Sequence, residues 1–327
     1  MKNIAIAGLR HGHIYTLYNW AKAHPGLNIL GAWEEDPQAR AVGAEKIAEP
    51  FYTSYEALLN DPRVDIVAIG DYYGIRGKRI LQALEHGKAV IGDKPLCTSL
   101  EELDAICRIS EEKQLPVGCM LDLRENPQLC KAASLIAEGA IGQIRAVHFT
   151  GQHALDYGNR PGWYFEPGKH GGTFNDIAVH GIDAVSWMTG SRFERALFAR
   201  QWNDFAEKEP HFLDSAHFSG LLENGAALTA DVSYAAPRGT ALPTYWRFTF
   251  WGRDGWIECN LLEGSLQLAR SGDPKPTQIL DCPKPEKTVL GEFVKEVEAG
   301  TPGEHTRTVL LAARECLRLQ KFADETN

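Results

Sequence analysis

Three stretches of the chain hold residue types at spacings that can do chemistry. In AVIGDKPLC, the pair Lys94-Pro95 follows a short apolar run directly. If that run is a buried parallel strand, Lys94 stands at its carboxyl end, where open α/β sheets bind ligands. Pro95 disfavours helical geometry at Lys94 and stops the strand. A lysine held there can donate a hydrogen bond to a reacting hydroxyl or carbonyl oxygen as negative charge develops on it; a solvated loop lysine is the plain alternative. In GGTFNDIAVHGIDAVSW, Asp176 and His180 stand four apart, just after Gly171-Gly172, on one face of a predicted helix. Histidine takes a hydroxyl proton near neutral pH, and a carboxylate beside it can orient it or bind a second hydroxyl. Taken alone, the pair also suits an exposed ion pair. A metal would need a third ligand at fitting spacing; none stands there, and no metal is expected.

The third stretch, NIAIAGLRHGHIYTL, has the form of a strand, a glycine turn and a helix. A dinucleotide-binding turn places glycine at its first, third and sixth positions. Here those positions hold Gly8, Arg10 and His13, with a displaced Gly12. Gly8 supplies the tight turn, Gly12 lets a phosphate approach the helix start, and Arg10 can reach a pyrophosphate through charge-assisted bonds. Glu34 closes the next apolar run, where an acid holds the adenine ribose hydroxyls. A carboxylate there repels a 2′-phosphate, which favours NAD and leaves NADP open. The turn by itself does not separate a modified nucleotide site from an ordinary strand–helix junction.

The elements that must position these residues follow from hydrophobic periodicity. Short apolar runs at Asn3–Ala7, Asn28–Trp33, Asp65–Gly70, Ala89–Gly92 and Pro116–Met120 read as buried parallel strands. Between them, His13–His24, Pro37–Ile47, Ser54–Asn60, Lys78–His86 and Leu100–Lys113 read as helices. Alternation of the two predicts a doubly wound α/β domain over residues 1–121. From residue 122 the rhythm changes. A helix at Pro127–Glu138 and a strand at Ile144–Thr150 precede longer strands with period-two alternation. Hairpin signals stand at Leu222-Glu-Asn-Gly225 and Gly252-Arg-Asp-Gly255. Residues 122–327 are therefore expected to form an α+β domain with a large, mostly antiparallel open sheet. A last helix, about 305–324, is expected to be able to pack back on the first domain.

Composition narrows the function classes. Thirty-four Lys and Arg against 43 Asp and Glu give a formal charge of −9 without any basic block, which argues against nucleic acid as partner. The seven cysteines form no CxxC pair and are odd in number, the usage of reduced thiols. MKNIAIAG enters a strand at once and no apolar run reaches a membrane span, so a soluble cytoplasmic protein with a small-molecule substrate is expected.

Taken in order, these segments resemble the glucose–fructose oxidoreductase/inositol dehydrogenase/rhizopine-catabolism (Gfo/Idh/MocA) family over nearly the whole chain. VDIVAIG…ALEHGKAVIGDKPL is similar to its third and fourth strands, ending in a Glu-Lys-Pro motif that here reads Asp93-Lys94-Pro95. NPQLCKAASLIAEGAIGQIRAVHF resembles its entry into the second domain, and GWYFEPGKHGGTFNDIAVHGIDAVSWMTG its glycine-rich turn and catalytic helix. DSAHFSGLLENGAALTADVSY and FTFWGRDGWIE are similar to its later sheet strands. The resemblance implies an NAD(P)-dependent dehydrogenase acting on a secondary hydroxyl of a sugar, cyclitol or related polyol. It implies Lys94 as catalytic lysine, His180 as acid/base and Asp176 as substrate-binding or orienting group. A homodimer or homotetramer joined through the second-domain sheet is implied too.

The cofactor is expected at Gly8, Arg10, His11, Gly12, His13, Glu34, Asp71, Tyr72, Arg76, Asp93 and Lys94. Arg124, His153, Tyr157, Trp163 and Lys169 are the candidate substrate contacts. Three features depart from the family pattern: Arg10 in the turn, Asp93 for the usual Glu, and Arg76 where His is frequent, with Asp71-Tyr72-Tyr73 replacing a Thr-Pro-Asn-like turn. Two rival readings share the fold. One is a glycoside-cleaving enzyme that oxidises its sugar transiently with tightly held NAD; the other is a non-catalytic nucleotide sensor that binds a protein partner.

Overall fold

The computed structural model of the chain describes residues 1–237 and 244–326. It divides into two compact units. The first comprises Met1–Leu121, Pro161–Gly171 and Lys287–Arg314; the second comprises Asp122–Arg160, Gly172–Glu286 and the chain from Glu315 onward.

Five parallel strands build the first unit: β1 (Lys2–Ala7), β2 (Leu27–Trp33), β3 (Ile66–Ile69), β4 (Ala89–Gly92) and β5 (Val117–Cys119), in the order β2-β1-β3-β4-β5. The runs IVAI and AVIG are buried at every position, which is why they are unbroken apolar sequence instead of alternating. Beyond β2, Phe51 makes a single parallel bridge to Ala32. Counted as a residual strand, it gives the six-position Rossmann order, with the direction of winding reversing between β1 and β3. The switch point thus lies beside the carboxyl ends of β1, β3 and β4.

The helices α1 (His13–Ala23), α2 (Pro37–Lys46), α3 (Tyr55–Leu59), α4 (Tyr73–Glu85) and α5 (Leu100–Lys113) connect these strands. Asp36, Ser54 and Ser99 cap α2, α3 and α5 by accepting a backbone N–H three residues on. α4 starts five residues before the predicted Lys78. Its first turn, Tyr73-Gly74-Ile75, is a weak helix former, and tertiary packing overrides that propensity. Gly74 donates its N–H to the Lys169 carbonyl at 2.9 Å, and a Cβ on it would overlap the Gly168 carbonyl oxygen.

In the second unit, α6 (Pro127–Ala137) leads to β6 (Ile144–Ala154). A π-helical turn, Phe174–Ala178, runs into α7 (Val179–Thr189). The remaining strands are β7 (Phe193–Trp202), β8 (Ser215–Leu222), β9 (Ala227–Ala236), β10 (Thr244–Gly252), β11 (Gly255–Asn260), β12 (Ser265–Arg270) and β13 (Thr277–Gln278). The eight-stranded sheet runs β13-β12-β11-β10-β6-β9-β8-β7, antiparallel throughout except for the parallel pair β6–β9. Both expected hairpins join antiparallel neighbours, β8 to β9 and β10 to β11. One face of the sheet carries an aromatic core in which Phe149 stacks on Phe248 at 5.7 Å and meets Phe218 edge-on at 5.9 Å. β6 extends four residues past the predicted Thr150, because Gly151–His153 stay paired to β10.

A helix not predicted from the sequence, α8 (Val289–Ala299), has Leu290, Phe293, Val294 and Val297 at helical spacing. These four residues complete the core of the first unit against β1, β3 and β4. The final helix, α9 (Glu304–Thr326), belongs to the first unit up to Arg314 and to the second from Glu315. Among the described residues, no helix is long and apolar enough to cross a membrane. All seven cysteines are free thiols.

Candidate functional site

The candidate residues form two clusters, one in each unit. In the first unit the cluster gathers at the carboxyl ends of β1, β3 and β4. Gly8 has φ +75°, and a Cβ on it would lie 2.7 Å from the Asp71 Cβ, so the turn after β1 requires glycine there. A Cβ on Gly12 would meet nothing within 4 Å, and no side chain caps α1 at this position. The helix start is therefore open to an anion, the arrangement that holds a pyrophosphate. These features fit a bound dinucleotide.

Arg10 lies in a set of carboxylates: Nε is 2.7 Å from Asp71, Nη2 is 2.7 Å from Glu35, and the guanidinium stacks over Tyr72 at 4.6 Å. Glu34 is buried and accepts backbone N–H groups from Leu9 at 2.5 Å and from Asp36 at 2.8 Å. Burial pushes its carboxyl up from the ordinary value, against the pull of those two amides. Glu34 thus ties the end of β2 to the glycine turn, while Glu35, the exposed acid of the pair, binds Arg10 and Arg79.

Arg76 is wholly buried in α4. Its Nε donates to the Asp71 carbonyl at 2.7 Å, Nη1 to the carbonyls of Asp93, Lys94 and Pro95 at 3.1, 2.5 and 3.0 Å, and Nη2 to the Asp93 carboxylate at 2.9 Å. Every nitrogen of its guanidinium is engaged by the protein itself, and through these bonds Arg76, one of the expected cofactor residues, clamps the turn that carries Lys94. Lys94 is 2% exposed, its peptide bond to Pro95 is cis, and its Nζ lies 5.9 Å from the centre of the Tyr73 ring.

Asp93 also accepts hydrogen bonds from both histidines of the turn. His11 Nδ1 is against Oδ2, and His13 Nδ1 is 3.2 Å from Oδ1. The other nitrogen of His11, Nε2, lies 3.0 Å from the Tyr164 hydroxyl and 3.2 Å from that of Tyr73. Burial pushes His11 down to about 4, so its ring is neutral at physiological pH. Burial opposes charge on Asp93 as well, but His11, Arg76 and His13 outweigh it and hold the carboxyl well below its usual range. Among the described residues, His11, His13 and Asp93 are also the one group of three whose ligand atoms, all within 4.8 Å of one another, could hold a metal ion. Spacing along the sequence could not reveal this group, since Asp93 lies some eighty residues from the histidines.

Trp163 and Lys169, expected at the substrate, belong to this same unit. The Trp163 indole N–H donates to the Arg10 carbonyl at 3.2 Å and its ring stacks on Tyr164 at 4.2 Å. Lys169 pairs with Glu166 and sits over the Tyr72 ring at 5.1 Å.

The second cluster centres on the π-to-α junction. Asp176 is buried in the π-helical turn, a feature frequent at functional sites, and accepts a hydrogen bond from the Tyr234 hydroxyl. His180 follows in the first turn of α7, with Nδ1 3.8 Å from Asp122 and its ring edge-on to Trp246 at 5.8 Å. His153 joins this group, 6.2 Å from the ring of Tyr234 and 6.0 Å from that of Trp246. Tyr157 donates to Glu209 at 2.9 Å. Arg124 makes a bidentate ion pair with buried Asp183 of α7, at 2.8 and 2.5 Å, which anchors the segment after Leu121 to that helix. Asp122, Tyr234 and Trp246 are additions that the sequence reading did not supply. Nothing local marks them; the sheet and the segment before α6 bring them to α7.

The sheet order and the glycine turn at Gly8 give the first unit the form of a dinucleotide-binding domain. Two family profiles cover most of the chain: residues 2–120 match the oxidoreductase-family NAD-binding Rossmann domain, and residues 130–258 match a Gfo/Idh/MocA C-terminal domain. The chain belongs to the Gfo/Idh/MocA oxidoreductases. Among its relatives, the scyllo-inositol 2-dehydrogenase (NAD(+)) of Bacillus subtilis is 28% identical over 72% of this chain and 68% of that enzyme. The levoglucosan dehydrogenase of Pseudarthrobacter phenanthrenivorans is 29% identical over 56% of this chain, a stretch that spans about half, 48%, of that enzyme. The fold is shared with a crystal structure from Erwinia carotovora atroseptica (TM-score 0.89, 24% identity, 98% of both chains). It is likewise shared with a levoglucosan dehydrogenase in complex with NADH (TM-score 0.79, 20% identity, 99% of this chain and 97% of that one).

Proposed function

We propose that this protein transfers a hydride between a secondary hydroxyl of a sugar, cyclitol or related polyol and NAD. The observation that carries the proposal is the placement of Lys94, buried at the carboxyl end of β4 in an NAD-binding sheet and fixed there through the Arg76 clamp. The named activities of the inositol and levoglucosan dehydrogenase relatives support the substrate class.

Gly8, the open start of α1 at Gly12 and His13, and the acid at Glu34 would hold the dinucleotide. The nicotinamide, when bound, supplies the hydride acceptor or donor. His180 takes the hydroxyl proton, and Asp122 stabilises the imidazolium that forms. Lys94 steadies the oxygen as alkoxide character grows. Asp176, held by Tyr234, binds a neighbouring hydroxyl or orients the base. The protein's contribution is alignment and charge placement. The same reading includes a homo-oligomer joined through the eight-stranded sheet, whose exposed large side chains include Leu197 and Phe198 of β7 and Trp251 of β10, and a cytoplasmic location.

The test begins with the nucleotide. Stripped protein titrated with NAD and NADP should bind NAD more tightly and exchange it freely, and a polyol screen should then yield NADH. Lys94→Ala and His180→Ala should each lower turnover by about 10²-fold or more with NAD affinity nearly unchanged. Wild-type turnover in both variants would remove the assigned roles. NAD that cannot be exchanged, with no net NADH, would favour transient oxidation in a glycoside-cleaving reaction.

A further inference from the structure

Two adjacent acids follow β2, and their surroundings give them different tasks. The Glu34 side chain has no exposed surface, and each of its oxygens is tied to the backbone: Oε2 accepts the Leu9 N–H and Oε1 the Asp36 N–H. It keeps spare lone pairs for a hydroxyl, but its direction is fixed. The Glu35 side chain is 48% exposed and is held by two guanidiniums, with Oε1 2.7 Å from Arg10 Nη2 and Oε2 2.8 Å from Arg79 Nη2. Partial burial opposes its charge, but Arg10 and Arg79 outweigh it and hold the carboxyl below its ordinary value.

Both guanidiniums are anchored independently of Glu35. Arg10 Nε is 2.7 Å from Asp71 and its guanidinium lies over the Tyr72 ring at 4.6 Å. Arg79 Nε is 3.8 Å from Asp71, and its guanidinium lies over Trp33 at 4.7 Å and Tyr55 at 5.1 Å. Glu35 therefore occupies a preformed fork of two arginines, an arrangement suited to a phosphate.

We propose that Glu35 sets the preference for NAD over NADP: its carboxylate fills the Arg10–Arg79 fork and repels the 2′-phosphate that the fork would otherwise hold. The proposal rests on the functional reading above, in which Glu34 would hold the dinucleotide. It moves the discriminating charge from Glu34, where the sequence places it, to the next residue. Three carboxylates, Glu34, Glu35 and Asp71, face the two guanidiniums, so the group is negative and turns away a phosphate of about two charges. Without Glu35 the charges balance, Nη2 of each arginine loses a partner, and a phosphate replaces it through charge-assisted bonds. The 2′-hydroxyl of NAD is uncharged and gains little from the change.

Calorimetric binding to the stripped protein tests this without any substrate. NAD and NADP form one pair of ligands; 5′-AMP and 2′,5′-ADP, which also differ only in the 2′-phosphate, form the other. Wild type should favour the unphosphorylated member of each pair. Glu35→Gln should shift both ratios toward the 2′-phosphate by about tenfold or more, and the shift should shrink as salt rises. Glu35→Ala, which removes the same charge without an amide, should do the same. Adding Arg79→Gln to Glu35→Gln should remove most of the shift. Ratios unchanged in both Glu35 variants would overturn the proposal, and so would a shift that survives the loss of Arg79. Wild type that binds NAD beside variants with unchanged ratios defeats this inference alone. Wild type that binds neither dinucleotide defeats the functional reading and this inference with it.

Discussion

Arg76 is the residue on which the first cluster depends. A buried guanidinium holds three successive carbonyls and a carboxylate, so its removal leaves Asp93 ionised, buried and short of its counter-charge. Breaking a buried pair by removing one partner costs about 3–5 kcal/mol. Arg76→Ala should therefore lower the melting temperature by many degrees, and Arg76→Lys should recover little, since a point charge cannot reproduce the fork. A melting temperature within a degree of wild type for Arg76→Ala would show that the clamp is not what stabilises this turn. Sequence placed Arg76 near the crevice but could not show which way it points. A side chain's direction is decided by its acceptors, and apart from the Asp71 carbonyl these lie in a turn seventeen to nineteen residues away.

At the scale of elements, what was legible is what periodicity encodes. The buried strands are unbroken apolar runs, α5 spans the predicted residues, and both hairpins sit at their glycine signals. What escaped depends on contacts distant in sequence. The first turn of α4 exists because segment Pro161–Gly171 packs against Gly74, and β6 reaches His153 because β10 continues alongside it. Gly74→Ala puts a methyl group into the Gly168 carbonyl. It should cost about 1–3 kcal/mol, as overpacking does, and should make Pro161–Gly171 more accessible to protease. Unchanged stability and an unchanged cleavage pattern would mean that the contact yields easily. The site divides in the same way: Lys94, Asp176 and His180 follow from motif and resemblance, whereas Tyr234, Asp122 and the Tyr164–His11 contact need the fold.

For the whole molecule, two buried groups shape stability against pH in opposite directions. His11, depressed to about 4 by burial, makes the folded state bind fewer protons than the unfolded chain between that value and about 6.5. Stability from this group therefore falls as pH drops through that window. Glu315 in α9 is raised to about 8, chiefly by burial, with Arg192 pulling the other way. Its folded form keeps a proton that the unfolded chain gives up near 4.5, so stability falls as pH rises from there to about 8. The two slopes oppose each other between about 4.5 and 6.5, and Glu315 alone acts above. Glu315→Gln should add about 3 kcal/mol near pH 7, from roughly 1.4 kcal/mol per pH unit, and almost nothing at pH 4.5. Chemical denaturation at a series of pH values measures this; a gain independent of pH would assign it to packing.

Four residues around the crevice, Arg10, Asp71, Arg76 and Asp93, are joined to one another. Arg10 contacts the side chain of Asp71, the Asp71 carbonyl receives Arg76, and Arg76 grips Asp93. The four positions therefore act as one unit, and substitutions at two of them should not add in their effect on stability.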